Sequence, residues 1–170
     1  HLVARQTDNI EAYEYGLKAR FHFNKWNPGS METAISLYEK ALELDPDYTE
    51  LYLGLADCYG FMATTGFMPY EGAWGKAARL VQQAHQLNDQ LPGVYYQLAN
   101  LSFFTACDYK TSFLQTAKAL ELNPNHVEAR QFMSYLYILA GNKEKSLRYL
   151  ETALSIDPLS KETLFFSAYY

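Results

Sequence analysis

The sequence predicts an all-α fold, a right-handed superhelical solenoid of four antiparallel helix pairs followed by one terminal helix. The first observation is a phrase that begins with alanine, ends with proline or aspartate and recurs four times. Its copies end at Pro46, Asp89, Pro124 and Pro158, which lie 43, 35 and 34 residues apart. A period in this range is typical of stacked helix-pair repeats. The second observation is composition, because 49% hydrophobic and 16% aromatic residues in a chain of 170 residues supply enough apolar surface for a packed core.

The repeats follow one another with little intervening sequence. They cover residues 9–46, 47–89, 90–124 and 125–158, and a partial fifth repeat covers residues 159–170. We expect them to form a single repeat domain over residues 1–170. Because the chain starts with His1 rather than Met and stops partway through an amphipathic segment, we expect it to be a fragment of a longer protein.

Each helix pair is predicted from small residues that face larger ones. Ala56, Ala99 and Ser134 lie in first helices, where a short side chain lets the second helix approach closely. The second helices carry matching stripes at helical spacing. These stripes are Ala34/Tyr38/Ala41, Ala77/Val81/Ala84 and Ser146/Leu150/Ala153.

Proline residues predict where the second helices end. Asp45, Asn123 and Asp157 each precede a proline, whose ring disfavours the helical backbone conformation at the residue before it. Asp47 and Asn125 stand three residues before a glutamate, a spacing typical of helix N-caps. We therefore expect the next first helices to begin just after Asp47 and Asn125.

Two repeats are longer than the period. In the first, a turn around Pro28-Gly29 adds about three residues between the two helices. In the second, we expect a long loop, roughly from Thr64 to Gly75, because glycines and a proline are interspersed among apolar residues. Such a loop either contacts a neighbouring domain or a second copy, or folds back and caps the edge of its own repeat. Its apolar side chains are Phe67, Met68, Tyr70 and Trp74.

The fourth repeat carries the pattern at unbroken spacing. The spacing is that of the motif W-x2-L-G-x2-Y…A-x3-F…P, with looser residue identity. The residues that match are Met133-Ser134, Tyr137, Gly141, Ser146, Leu150, Ala153 and Pro158. Tyr52, Leu55-Ala56 and Tyr59 fill the first-helix positions of the second repeat. The chain therefore resembles the tetratricopeptide repeat family over nearly its whole length.

A narrower resemblance rests on the segments 12–20, 34–46 and 53–59 together with Trp26-Asn27. These segments are similar to the repeat arrays attached to bacterial transcription regulators or nucleotide cyclases. The resemblance implies that such an array sits beside a DNA-binding or cyclase domain in its parent protein. No such domain is present in these residues.

Repeat arrays curve, and the first helix of each repeat lines the concave face. We expect this face to bind an extended or helical peptide, because aromatic anchors with a few polar groups suit recognition. The alternative is that Phe103, Phe104 and Leu139 pack between helices and the face has no specific ligand. The candidate binding residues are Leu53, Asp57, Phe61, Tyr96, Asn100, Phe103, Phe104, Gln131 and Tyr135.

The expected function is that of a non-catalytic scaffold for protein–protein interaction, with a protein or peptide partner. The partner is expected to be basic, because Glu50 and Asp57 lie on the predicted face. The alternative is a regulatory or dimerising module of a larger bacterial transcription regulator or signalling enzyme. Tetratricopeptide repeats that grip a C-terminal carboxylate use Lys, Arg and Asn, and Asn100 is the residue here at a comparable place, so we do not expect a carboxylate clamp.

Other functions find no support in the sequence. The net charge of −5 without a basic stripe argues against direct nucleic-acid binding, and no apolar run is long enough for a membrane span. Four dispersed histidines and two cysteines form no metal-ligand or nucleophile pattern, so we expect no cofactor, metal or enzymatic activity. Cys58 and Cys107 are expected to be small buried residues of a reducing compartment, which indicates a cytoplasmic protein.

The C-terminal end carries a separate expectation. Leu164, Phe165 and Phe166 begin a repeat whose second helix is missing, and repeat arrays need a polar cap to stay soluble. We expect this edge either to mediate self-association or to be buried against the preceding repeat as a lone capping helix.

Overall fold

Eight α-helices and no β-strand make up the computed structural model within residues 7–160, the part of the chain that it describes. The helices are α1 (Ile10–Phe23), α2 (Pro28–Leu44), α3 (Thr49–Thr64), α4 (Tyr70–Leu87), α5 (Pro92–Ala106), α6 (Tyr109–Leu122), α7 (Val127–Leu139) and α8 (Lys143–Ile156). The predicted all-α fold of helix pairs is confirmed. The predicted terminal helix and its apolar edge lie outside the described residues.

Contacts divide the chain into two units, His1–Asp89 and Gln90–Tyr170. The first unit holds α1 to α4 and the second holds α5 to α8. The division coincides with the predicted boundary between the second and third repeats. The single domain over residues 1–170 stays a prediction, and each unit is described by itself below.

In the first unit, each helix packs against the next one, and α1 also contacts α3. The predicted stripe of α2, Ala34, Tyr38 and Ala41, is buried, and Met31 and Ile35 are buried beside it. Tyr38 lies directly over Gly54 of α3, where a Cβ would be 2.5 Å from the Tyr38 ring atom Cζ. A glycine at this position therefore lets α2 and α3 approach closely.

In the second unit, α5 pairs with α6, α6 packs on α7, and α7 pairs with α8. The Ser112 hydroxyl donates to the Ala99 carbonyl at 2.9 Å, and the Ser146 hydroxyl donates to the Ser134 carbonyl at 2.6 Å. The two hydrogen bonds join the same repeat positions, and all four residues are buried. The predicted close approach at Ala99 and Ser134 is thus confirmed.

The predicted helix ends at Asp45, Asn123 and Asp157 are confirmed, since α2, α6 and α8 each end one residue earlier. The N–H of each of these residues donates to the carbonyl of the alanine four positions before it, at 2.9 to 3.0 Å. Asn88 ends α4 with the same hydrogen bond, at 2.9 Å, although aspartate rather than proline follows it. The proline ring is therefore not required for this helix end.

The predicted N-caps at Asp47 and Asn125 are wrong by one residue. α7 begins after His126, whose Nδ1 accepts from the Ala129 N–H at 3.2 Å. α3 begins after Tyr48, whose side chain makes no such bond. The N–H groups of Asp47 and Asn125 are bound by the side chains two residues before them, which holds both residues in the preceding turn.

The long loop predicted in the second repeat is also wrong. α3 continues to Thr64 and α4 begins at Tyr70, so the connection is residues 65–69. The inserted residues instead lengthen α4 at its N-terminus. Trp74 is 5% exposed and packs on Gly60 of α3, where a Cβ would be 3.2 Å from the indole. Burial of this large ring outweighs the helix-breaking tendency of the glycines beside it.

Candidate functional site

The second unit carries a cluster of aromatic rings on α5 and α7. The Phe103 ring lies at its centre, with its centroid 4.9 Å from that of Phe104, 5.6 Å from that of Phe132 and 5.6 Å from that of Tyr135. Tyr96 extends the cluster along α5, with its ring centroid 6.1 Å from that of Phe132. We call these five residues the α5–α7 aromatic face.

Helical spacing brings these rings together. Tyr96 and Phe103 are seven residues apart on α5, and Phe132 and Tyr135 are three apart on α7, so each pair lies on one side of its helix. The Phe103–Phe104, Phe103–Phe132 and Tyr96–Phe132 pairs meet at interplanar angles of 72°, 76° and 88°. Edge-to-face contacts of this kind are favourable for aromatic rings.

The α5–α7 aromatic face combines a buried floor with accessible rings. Phe132 is 4% exposed and forms a buried cluster with Ala99 and Leu136. The other four rings of the face are half-buried and pack against that cluster. The rings are therefore held in place and still offer apolar surface to a partner.

A tight turn adds Tyr109 to this region. Cys107 ends α5 with a left-handed backbone, at a φ of 51°, and α6 begins two residues later. The Tyr109 ring centroid then lies 5.3 Å from that of Phe103. The prediction that Cys107 is buried inside a helix is wrong, because it is exposed in this turn, whereas Cys58 is buried as predicted.

Two predicted binding residues of the second unit are buried. Asn100 is 8% exposed, and its Nδ2 donates to the Tyr96 carbonyl at 3.2 Å. Gln131 is 2% exposed, and its Nε2 donates to the Ser160 hydroxyl at 3.0 Å. Amides buried in this way support the helices, and a binding role for Asn100 and Gln131 stays a prediction.

The predicted residues of the first unit lie on α3 in different environments. Leu53 is 8% exposed and belongs to the core, and its role as a contact residue stays a prediction. Asp57 and Phe61 are half-buried. The Phe61 ring centroid lies 6.1 Å from that of Trp26, which the sequence reading had not included. Asp57 and Phe61 remain candidates for partner contact.

Glu50 at the start of α3 is the more unusual acid. Its Oε2 is buried and has no hydrogen-bond partner among the described residues. Burial raises the pKa of the Glu50 carboxyl above its usual value, which its own backbone N–H partly opposes. A cation that reached this carboxylate would relieve the cost of its desolvation.

The insertion residues also differ from one another. Phe67 is 53% exposed and Tyr70 is 45% exposed, whereas Trp74 is buried. The N–H of half-buried Met68 donates to the Met62 carbonyl at 3.0 Å. The insertion thus folds back onto its own repeat at Trp74, as one of the two interpretations expected, while Phe67 and Tyr70 stay available for contact.

A groove that the sequence did not indicate lies between α2 and α4, with α3 as its floor. Its volume is about 250 Å³. The Lys76 ammonium lies 4.8 Å from the Tyr59 ring centroid. Burial and the Glu39 carboxylate raise the pKa of Tyr59. The lining residues are Glu39, Leu55, Tyr59, Lys76, Arg79, Leu80 and Gln83.

Three residues in or beside the α5–α7 aromatic face were not predicted from the sequence, namely Phe132, Tyr109 and His126. The His126 ring centroid lies 5.9 Å from that of Tyr96. Phe132 could have been found from its position three residues before Tyr135, which places both on one side of a helix. No signal in the sequence shows Tyr109, because the turn at Cys107 decides its position.

Neither a metal centre nor a membrane span is found among residues 7–160. No three His, Cys, Asp or Glu side chains come together in that range as ligands for a metal ion. No helix in the same range is long and apolar enough to cross a bilayer.

Two segments of the chain match models described as tetratricopeptide repeat, one at residues 28–59 and the other at residues 127–158. Both segments therefore carry the sequence pattern of a tetratricopeptide repeat. The second match has the bounds of the α7–α8 pair with its flanking turn, and the first joins α2 to the first part of α3.

Solved structures of tetratricopeptide-repeat proteins share this fold. TTC0263 of Thermus thermophilus matches with a TM-score of 0.73 at 16% identity, over 95% of this chain and 82% of that chain. MamA matches with a TM-score of 0.50 at 21% identity, over 81% of this chain and 85% of that chain. At these identities the similarity concerns the fold alone.

Among curated proteins, the chain is similar to the transcriptional regulator HilA of Salmonella typhimurium and of Salmonella typhi. The identity is 23% over 153 residues in both cases. The match covers 90% of this chain, which spans 28% of the length of these regulators. The similarity fits the narrower resemblance to repeat arrays of bacterial regulators.

Proposed function

We propose that the chain is a non-catalytic protein-interaction module and that its α5–α7 aromatic face binds a segment of a partner protein. The observation that carries this proposal is the set of four half-buried rings that pack on a buried floor. Aromatic residues in such settings are enriched among the side chains that contribute most to binding.

The physical basis of binding is pre-organisation. The Phe103 ring contacts rings on both α5 and α7, so little side-chain freedom remains to be lost when a partner docks. Tyr96 and Tyr135 add hydroxyl groups to an otherwise apolar surface. Such a surface suits a partner segment with apolar side chains and a few polar groups between them.

We further propose that the first unit favours a basic residue in its partner. The supporting observations are the buried Oε2 atom of half-buried Glu50 and the half-buried Asp57 on the same helix. A lysine or arginine that reached Glu50 would stabilise its charged form. Replacing Glu50 by glutamine should weaken binding of lysine-containing peptides and reduce the salt dependence of that binding.

A non-catalytic role is supported by the state of two nucleophilic groups, the Cys58 thiol and the Tyr38 hydroxyl. Burial raises the pKa of the Cys58 thiol and of the Tyr38 hydroxyl, and both side chains lie in the core. An activated nucleophile needs the opposite, a lowered pKa and access to substrate.

The proposal can be tested with peptides selected from a random display library on the immobilised chain. Their Kd is then measured by fluorescence anisotropy for Tyr96→Ala and Tyr135→Ala. Each variant should raise Kd by roughly 30-fold, the effect of losing a residue that contributes about 2 kcal/mol. Leu114→Ala is the matched control, because Leu114 is 60% exposed on α6, and it should leave Kd unchanged. Unchanged Kd in both tyrosine variants with native circular dichroism would remove this face from consideration.

The alternative is a regulatory or dimerising module of a larger regulator or signalling enzyme. The match to HilA is consistent with such a parent, but it covers 28% of that protein at 23% identity. The proposed interaction role does not depend on the match to HilA, so we place that role before the alternative. Analytical ultracentrifugation of the chain would test the dimerising form of the alternative, which requires a mass of two copies.

A further inference from the structure

The groove between α2 and α4 of the first unit combines an apolar floor with a basic wall. Leu55 and Tyr59 form the floor and are 4% and 6% exposed. The wall from α4 carries Lys76 and Arg79, which are three residues apart and therefore lie on one side of the helix. A groove of this composition suits a ligand that joins an apolar group to a negative charge.

The second unit has the same residue types at the same repeat positions. Tyr59 and Tyr137 each lie three residues after the small residue of their first helix. Lys76 and Lys145 each lie one residue before the small residue that opens the stripe of their second helix. The lysine ammonium lies 4.8 Å from the tyrosine ring centroid in the first unit and 5.4 Å in the second. The two units can therefore be compared position by position.

The units differ one turn further along the second helix. Leu80 of α4 corresponds to Tyr149 of α8, since each lies four residues after the lysine. The Tyr149 ring stacks on Tyr137, with the ring centroids 5.6 Å apart and an interplanar angle of 22°. The smaller Leu80 side chain lines the groove together with Tyr59. The second unit thus supplies its own aromatic ring at the place where the first unit has the groove.

The units also differ in how the arginine after the lysine is paired. Arg148 of α8 forms an ion pair at 2.6 Å with Glu144, which lies four residues before it. Arg79 corresponds to Arg148, and Gly75 stands where α8 has Glu144. Among residues 7–160, Arg79 forms no ion pair. Its guanidinium is therefore available to the carboxylate of a ligand.

Glu39 is the acidic residue of the groove lining and lies on the opposite wall, on α2. Burial raises the pKa of Tyr59, and the Glu39 carboxylate raises it further. The lining side chains therefore carry two positive charges, both on α4, against one negative charge on α2. This distribution directs the negative group of a ligand to the α4 wall.

We propose that this groove binds an acidic segment of a partner protein, with an aromatic side chain stacked over Tyr59 and a neighbouring aspartate or glutamate paired with Arg79. The ring of the segment takes the place that Tyr149 has over Tyr137 in the second unit. The carboxylate of the segment takes the place of Glu144. Because an exposed ion pair contributes little, the ring supplies most of the affinity, and the carboxylate supplies charge specificity.

The probe for the test is a short peptide that carries one phenylalanine between two glutamates, flanked by glycine and serine. Binding is measured by NMR titration of the nitrogen-15-labelled chain, in which amide signals of α4 around Lys76 and Arg79 should shift. One control peptide has lysine in place of both glutamates, and another has alanine in place of phenylalanine. Each control peptide should bind at least about tenfold more weakly.

Two substitutions give the first unit the side chains of the second. Leu80→Tyr places a ring over Tyr59 and should raise Kd by at least about tenfold, because the groove is then filled. Gly75→Glu offers Arg79 a carboxylate on its own helix and should raise Kd about threefold. Gly75→Ala brings the same gain in helix propensity without the carboxylate and should leave Kd unchanged. Native circular dichroism of all three variants excludes unfolding as the cause.

Arg79→Gln removes the charge directly. It should raise Kd about threefold and reduce the salt dependence of binding. The matched control is Arg148→Gln at the corresponding position of the second unit, which should leave Kd unchanged because that arginine is paired within α8. Tyr96→Ala should also leave Kd unchanged, because it alters the α5–α7 aromatic face and not this groove.

Four results would overturn the proposal. One is that the probe peptide leaves the α4 amide signals in place, and another is an unchanged Kd in Leu80→Tyr. The third is equal affinity for the lysine control peptide, since the basic wall would then have no part in recognition. The fourth is a dimer of the chain that Leu80→Tyr makes monomeric, since a second copy would then occupy the groove.

Discussion

Replacing Gly54 by alanine tests the packing of α2 on α3. A glycine inside a helix normally costs about 1 kcal/mol relative to alanine, so the substitution would stabilise an exposed helix. At Gly54 the added Cβ would instead lie 2.5 Å from Cζ, 2.6 Å from the hydroxyl oxygen and 2.8 Å from Cε1 of Tyr38. Carbon atoms in contact prefer separations of about 3.5–4.0 Å, so the ring must move by about 1 Å.

The Tyr38 ring has little room for that movement. It is 6% exposed and lies on the buried stripe of α2 between Ala34 and Ala41. Overpacking a core in this way costs about 1–3 kcal/mol, and we place Gly54→Ala at the upper end. After the gain in helix propensity, the net loss is about 2 kcal/mol, which lowers Tm by roughly 4–8 °C.

The assay is thermal and urea unfolding followed by circular dichroism. Gly75→Ala in α4 is the matched control, because a Cβ there meets nothing within 4 Å, and it should raise Tm by roughly 2–4 °C. Tyr38→Leu as a single substitution should lower the stability of the chain. In the Gly54→Ala background it should lower the stability less, because it then also relieves the clash with the added Cβ. An increase in Tm for Gly54→Ala equal to that of Gly75→Ala would refute the reasoning.

Three further predictions concern single side chains. Burial lowers the pKa of His126, and the Glu128 carboxylate opposes that shift. The neutral Nδ1 accepts the hydrogen bond that caps α7. The contribution of this cap to stability is therefore complete above about pH 6.5 and is lost as the pH falls. His126→Asn should keep the cap and flatten the fall in Tm between about pH 7 and 5, whereas an unchanged slope would contradict the role. Cys107 should react with a thiol reagent in the folded chain, whereas buried Cys58 should react after unfolding. Rapid reaction of both thiols in the folded chain would contradict the burial of Cys58. Ser112→Ala should lower the free energy of unfolding in urea by about 1 kcal/mol, because it removes a buried hydrogen bond. Ser112→Leu should lower it clearly more, because Ser112 is buried where two helices meet. Equal losses would show that space is not limiting there.

The regular part of the fold could be predicted from local sequence. Small residues such as Ala99 and Ser134 and the helix ends at Asp45 and Asp157 follow from side-chain size and backbone conformation, which depend on near neighbours in the chain. The insertion was mispredicted because its conformation depends on packing between two helices and not on near neighbours in the chain. Its glycines indicate a loop locally, and burial of Trp74 against Gly60 makes it helical.

The candidate site was predicted in part. Half-buried Phe103 and Tyr135 were found because helical spacing places aromatic residues on one side. Asn100, Gln131 and Leu53 were expected on the same surface, but their burial depends on how neighbouring helices pack.

The sequence by itself determined that this protein is a series of helix pairs, because the repeat period, the small residues and the helix ends are encoded by residues close together in the chain. The tertiary structure alone decided which side chains remain accessible. Register restricts a residue to one side of its helix, but exposure there depends on what the adjacent helix brings against it. Leu17 and Phe132 occupy the same repeat position, and they are 51% and 4% exposed because a preceding helix packs against α7 and no described helix precedes α1.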